Sequence, residues 1–137
     1  MKTIFTLLTC LVIFVMLIRA DEIDILQPNS SSIFHPGDKM TIEYNVKNVG
    51  MTKIWGTFTT LTHDNKTIQG FPAHQNIGYN RNYSNTWIIP KDVPNGTFTL
   101  MVGGNITYLC SNDSKPPYKH CQDVIYQSST FTILKNN

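Results

Sequence analysis

Apolar and polar residues alternate nearly one for one along most of this chain, and that period constrains the fold more than any other feature. Met40, Ile42, Tyr44 and Val46 alternate with Thr41, Glu43 and Asn45. Phe98, Leu100 and Val102 alternate with Thr97, Thr99 and Met101, and Phe131 and Ile133 with Thr130 and Thr132. Residues two apart share a face only in an extended strand, so each run predicts a strand with one buried side. Further strands are expected over Ile23 to Leu26, Ile54 to Leu61, around Thr67 to Gly70, and over Asn82 to Ile89. β-Branched and aromatic residues fill these runs, and helical spacing never lasts beyond a turn. Pro36-Gly37-Asp38 and Pro94-Asn95-Gly96 are turn sequences, while Pro28 and Pro90 end strands. The expectation is an all-β, antiparallel β-sandwich of about seven short strands. Gly103-Gly104 and the segment between Cys110 and Cys121 are expected to interrupt the last hairpin.

The first twenty residues follow a different rule. Lys2 gives a positive start, Ile4 to Ile18 is an uncharged, mostly apolar run, and Ala20 offers a small residue for cleavage. This is the pattern of a secretory signal peptide, and the run falls short of the roughly 18 residues that favour a spanning helix. The expected organisation is a signal peptide over residues 1–20 and a single domain over 21–137. Cleavage would leave 117 residues with nine basic and nine acidic side chains. A formally neutral chain has no field to hold nucleic acid or anionic lipid, so neither is expected as a partner. The closing Leu134-Lys135-Asn136-Asn137 has no apolar anchor signal, so no membrane anchor is expected in the mature chain.

Secretion changes the meaning of the cysteines and asparagines. Cys10 lies in the signal, which leaves Cys110 and Cys121 as a pair in an oxidising compartment. A Cys110–Cys121 disulfide is the simplest expectation, and the ten residues between them do not resemble a thiol metal site. Six N-x-S/T sequons occur, at Asn29, Asn65, Asn82, Asn95, Asn105 and Asn112. With 13 Asn and 21 Ser or Thr among the 117 residues, chance would give about 2. The excess predicts a surface-glycosylated, secreted protein.

No pattern for catalysis emerges, and no cofactor is expected. His35, His63, His74 and His120 form no HxH or HExxH, and their turn-like contexts predict surface histidines. A copper-dependent polysaccharide oxidase needs a histidine as first mature residue, where Asp21 stands, and a blue-copper site needs a free cysteine. Glycoside hydrolysis needs two carboxylates across a cleft. Glu43 instead falls on the solvent register of its strand, with Asp24, Asp38, Asp64 and Asp92 near turns.

The aromatic residues supply the binding candidates. Trp55, Tyr79, Tyr83, Tyr108, Tyr118 and Tyr126 have flat faces that suit the apolar side of a sugar ring, although core packing uses the same rings. Alternation places Trp55 with Lys53, Thr57 and Thr59, away from Ile54 and Phe58, so Trp55 is the leading candidate for an exposed glycan or partner contact. Tyr118, beside Pro116-Pro117, is the second.

In order, the chain carries Ile25 with Pro28, Pro36 with Gly37, Trp87 with Pro90, Gly96 with Phe98, and Ser128 or Ser129 with Phe131 and Ile133. This succession resembles the fungal yeast cell-wall synthesis (Kre/Knh-like) N-terminal domain, which heads Ser/Thr-rich, GPI-anchored fungal proteins. The resemblance spans nearly all of the mature chain. It departs where that family usually has Trp and this chain has Tyr44, in the excursion between the cysteines, and in the Ser/Thr-rich stalk and anchor signal. The resemblance implies an Ig-like sandwich, with Trp87 of the Trp-x-x-Pro segment in its core, that takes part in β-glucan and cell-wall organisation without a catalytic centre. Two functions stay open: a non-catalytic module of the cell wall or extracellular matrix that contacts wall polysaccharide, and a freely secreted effector, adhesin or inhibitor that binds another protein.

Overall fold

The computed structural model describes residues 23–47, 52–110 and 119–135. Eight strands follow in order: β1 (Ile23–Gln27), β2 (Ile33–Phe34), β3 (Lys39–Val46), β4 (Lys53–His63), β5 (Lys66–Gln75), β6 (Arg81–Ile88), β7 (Gly96–Leu109) and β8 (His120–Ile133). They form two sheets, β1-β3-β6 and β2-β8-β7-β4-β5. Each sheet interleaves strands from both halves of the chain, with β3 and β4 on opposite sheets, and this is the connectivity of an Ig-like sandwich.

The expected alternation is what fills the space between the sheets. Met40, Ile42, Tyr44 and Val46 on β3 are wholly buried, as are Phe98, Leu100 and Val102 on β7 and Ile133 on β8. Phe131 stacks on Phe98 with ring centroids 5.8 Å apart and meets the edge of Phe34 at 5.6 Å. Trp87, opposite Met40 across the β3–β6 ladder, is 7% exposed and part of the same core.

The turns form where the sequence chemistry allows them. Gly37 sits at φ +95°, and its N–H donates to the Ile89 carbonyl at 2.8 Å, tying the β2–β3 turn to the end of β6. Asp64 and Asn65 hold φ values of +48° and +61° between the paired residues His63 and Lys66. That is a two-residue hairpin of the type these side chains tolerate.

The expected β-sandwich of about seven strands is present, and four details of it differ. There are eight strands, because after Pro28 the chain crosses to the other sheet and β2 runs parallel to β8 through Ile33–Thr132 and Phe34–Ile133. The sandwich is therefore not wholly antiparallel. Gly103 and Gly104 do not interrupt the hairpin: β7 and β8 pair without a break from Gly96–Ile133 to Leu109–His120. The glycines instead make room, since a Cβ on Gly103 would fall 2.2 Å from Phe58 Cζ and one on Gly104 would fall 3.0 Å from Ile23 Cδ1. The strand expected around Thr67 to Gly70 continues to Gln75. It carries Pro72 through an irregularity of the β4–β5 ladder, where an edge strand tolerates a missing N–H. Finally, Thr57 and Thr59 are buried, so the assignment of their faces by simple alternation from Trp55 fails. The cause is a bulge, described below.

Cys110 and Cys121 are bonded, with Cα atoms 5.8 Å apart, and close the far end of the β7–β8 hairpin. The Cys110 N–H donates to the Lys119 carbonyl at 3.0 Å, continuing the ladder next to the bond. Tyr118 and Asn112 lie outside the described residues.

Two stability measurements check this arrangement. Trp87→Ala removes a buried ring, a loss of about 3–5 kcal/mol out of a total of roughly 5–15 kcal/mol. Its thermal melt is expected more than ~10 °C below wild type, with poor secretion. Replacing Cys110 and Cys121 together by Ser is expected to cost about 3 kcal/mol in a denaturant titration, the value for a loop of about a dozen residues.

Candidate functional site

Trp55 owes its position to one extra residue. Ile54 pairs with Ile106 and Gly56 with Asn105, so Trp55 and Gly56 on β4 together stand opposite Asn105 on β7. A bulge of this kind turns the side chain of the extra residue outward and resets the alternation beyond it. Ile54 therefore faces the core before the bulge, and Thr57, Thr59 and Leu61 face it after, while Trp55 is 51% exposed on the outside of the five-stranded sheet. The expected exposure of Trp55 holds, but its neighbours are not Thr57 and Thr59.

The indole is braced from two sides. Its Nε1–H donates to Thr107 Oγ1 on β7, and the Lys53 ammonium lies 3.6 Å from the ring centroid. A cation over an indole face is attracted by the ring quadrupole. Tyr79 steadies the start of β4, its hydroxyl accepting from the Ile54 N–H at 3.2 Å and donating to the Thr52 carbonyl at 3.3 Å. The result is an aromatic platform with little rotational freedom left to lose on binding.

Next to the platform lies an open groove of about 650 Å³, lined by Trp55, Asn105, Ile106, Thr107, Gln122, Asp123 and Val124. The lining combines one flat apolar ring with amide and hydroxyl groups, a composition suited to sugars and other neutral polar molecules. Asp123 is the only carboxylate in it, and its Oδ1 accepts from the Val124 N–H at 2.8 Å. Two residues further along β8, Tyr126 is 57% exposed and meets Phe58 edge to face at 5.9 Å. Both rings flank Gly103, with which each is paired. The aromatic surface thus extends over three strands, from Trp55 to Tyr126.

The other aromatic candidates are structural. Tyr79, Tyr83 and Tyr108 pack against the core. Tyr83 accepts from the Gly78 N–H at 2.6 Å and donates to its carbonyl at 3.1 Å, fixing the turn before β6. Reasoning from sequence missed that Asn105, Thr107 and Val124 adjoin Trp55, a cross-strand relation that depends on register. Tyr126, already among the aromatic candidates, is exposed because its parity is opposite to that of the buried Phe131 on the same strand.

Two histidines depart from the surface positions expected of them. His63 stacks on Phe98 at 4.5 Å and its Nδ1 lies 2.9 Å from the Thr97 carbonyl oxygen. His74 Nδ1 lies 2.9 Å from the hydroxyl oxygen of Tyr44, which is also 2.6 Å from Thr57 Oγ1. Tyr83 stacks on Tyr44 at 5.8 Å. These polar contacts inside the sandwich became possible when the bulge turned Thr57 inward. Among the described residues, no three His, Cys, Asp or Glu side chains gather in the manner of a metal site.

Five of the six sequons fall on described residues, and Asn29, Asn65, Asn82, Asn95 and Asn105 are all exposed. Asn29, Asn65 and Asn95 stand in turns, Asn82 on β6 and Asn105 in the middle of β7. The residues behind the cell-wall resemblance take structural places instead. Ser129 Oγ donates to the Pro28 carbonyl at 2.7 Å, Gly37 and Gly96 sit at positive φ, and Trp87, Phe98, Phe131 and Ile133 are core.

No family model matches the sequence, and no curated protein does. Among solved structures, the chain is similar to the fibronectin(III)-like modules of Clostridium thermocellum CbhA. The TM-score is 0.49 at 12% identity, over 84% of this chain and 99% of the other.

Burial pushes the Tyr44 phenol above its ordinary value, while hydrogen bonding by Thr57 pulls the other way. The unfolded chain then releases this proton first, so stability falls as pH rises past about 10. Tyr44→Phe is expected to lower stability at neutral pH by about 1–3 kcal/mol, because the Thr57 hydroxyl loses a buried partner. Denaturant titrations at pH 8 and pH 10.5 are expected to show a smaller alkaline loss in that variant than in wild type.

Proposed function

We propose that this chain is a secreted, non-catalytic β-sandwich module of the fungal cell wall or extracellular matrix that contacts β-glucan through the Trp55 groove. The observation that carries this is the exposed, doubly braced indole of Trp55 on the open face of the five-stranded sheet. A glucan ring presents axial C–H bonds to such a face and hydroxyls to the side chains of Thr107, Gln122 and Asn105. The platform is already ordered, so little conformational entropy opposes binding. The resemblance to the Kre/Knh-like domains supports the same assignment, and the exposed sequons and the disulfide suit a protein of the extracellular space.

A second reading, a freely secreted interaction protein such as an effector, adhesin or inhibitor, draws on different residues. Ile33 on β2 and Ile88 on β6 are 57% and 69% exposed. Large apolar side chains in the open suit a protein partner better than a polysaccharide.

Sedimentation with insoluble β-glucan and with chitin separates the two. With both proteins prepared free of N-glycans, wild type is expected to co-sediment with glucan, and Trp55→Ala to fold with an unchanged melt but lose at least ~10-fold in retention, about 1.4 kcal/mol. Equal retention of the two proteins, or none of either, would remove Trp55 and glucan from the assignment.

A further inference from the structure

Of the exposed sequons, Asn105 alone lines the Trp55 groove. It does not stand in a turn, from which a glycan points away into solvent. It lies in the middle of β7, between β4 and β8, paired with Gly56 on one side and Val124 on the other. The bulge sets Trp55 beside it, and the sequon's own Thr107 accepts the hydrogen bond that orients the indole. A sugar attached here leaves from the sheet face itself, and its first ring has Trp55 within reach.

We infer that an N-linked glycan on Asn105 packs its first N-acetylglucosamine ring on Trp55, and that occupancy of this sequon gates the groove. In the transfer, the Asn105 carboxamide nitrogen attacks C1 of an oligosaccharyl diphosphate lipid. The N–C1 bond forms, the C1–O bond to diphosphate breaks, the diphosphate lipid leaves, and the amide gives up one proton to the enzyme's base, with no change of oxidation state. The attached sugar is held at high local concentration and needs only to turn onto the indole. An external glucan has to compete with it, so the groove is open in chains whose Asn105 is bare and closed in chains whose Asn105 is glycosylated. This rests on the secreted, glucan-binding assignment for the gating, and on secretion alone for the packing.

Four proteins from a glycosylating eukaryotic host test the packing: wild type, Asn105→Gln, Trp55→Ala and the double variant. Asn105→Gln is expected to lower the melting temperature by about 4 °C in the wild-type background and to have no effect in the Trp55→Ala background. Trp55→Phe keeps an aromatic face and is expected to retain most of the coupling. Trimming wild type to a single N-acetylglucosamine per site is expected to preserve its melt. Equal losses from Asn105→Gln in both backgrounds overturn the packing, and so does peptide mass spectrometry that finds Asn105 bare in the secreted protein. These melts contain no glucan, so their outcome is independent of the proposed function. The gating is read by co-sedimentation, where glucan is expected to retain Asn105→Gln several-fold more than glycosylated wild type. Equal retention overturns the gating. Absence of retention for both also sinks the glucan assignment and leaves the packing result standing.

Discussion

The unbroken pairing of β7 with β8 is the contact on which the other features depend. Fourteen residues on each strand run in register from Gly96–Ile133 to Leu109–His120. A register of that length leaves every side chain with one allowed face, because a slip of one residue would turn Phe98, Leu100, Val102 and Phe131 outward together. The inward residues build the core against β3 and β6. The outward ones place Asn105, Gln122, Val124 and Tyr126 on a single surface. The Cys110–Cys121 bond fastens the same ladder at its far end, and β4 lies along its flank.

Much of this was legible in the sequence because the code for a half-buried strand has a period of two. The β3 and β7 runs follow that code without error, and their buried faces coincide with the alternation. The cysteine pair followed from counting cysteines outside the signal and Trp87 in the core from the Trp-x-x-Pro resemblance, whereas an exposed Trp55 was within reach of the alternation. The inward turn of Thr57 and Thr59 was not. A bulge is an insertion of one residue relative to a partner strand, and pairing partners are not visible along a single chain. Past Gly56 the β4 sequence still alternates, only with its parity reversed, so local pattern cannot distinguish it from an unbulged strand. The two-residue β2 was too short to carry any period, and the run through Pro72 looked interrupted where it is only irregular.

The bulge also explains why the core is partly polar. Turning Thr57 inward brings a hydroxyl to the sandwich interior, where an unpaired oxygen is costly. Tyr44 answers it from the opposite sheet, and His74 from the edge strand completes the contact. A phenol hydroxyl can donate and accept at once, so Tyr44 meets both Thr57 and His74. The same single-residue insertion thus sets an exposed aromatic platform on one face and calls for a tyrosine on the other.

Strand β5 closes one side of the larger sheet, and such a border is where separate molecules most readily zip together. Pro72 removes an N–H from it, and the ladder to β4 is irregular at the neighbouring Thr57–Thr59 step. A second chain laid along this border would meet a gap in its hydrogen-bond donors and a local change of direction. That misfit favours remaining as separate molecules over growing into fibres.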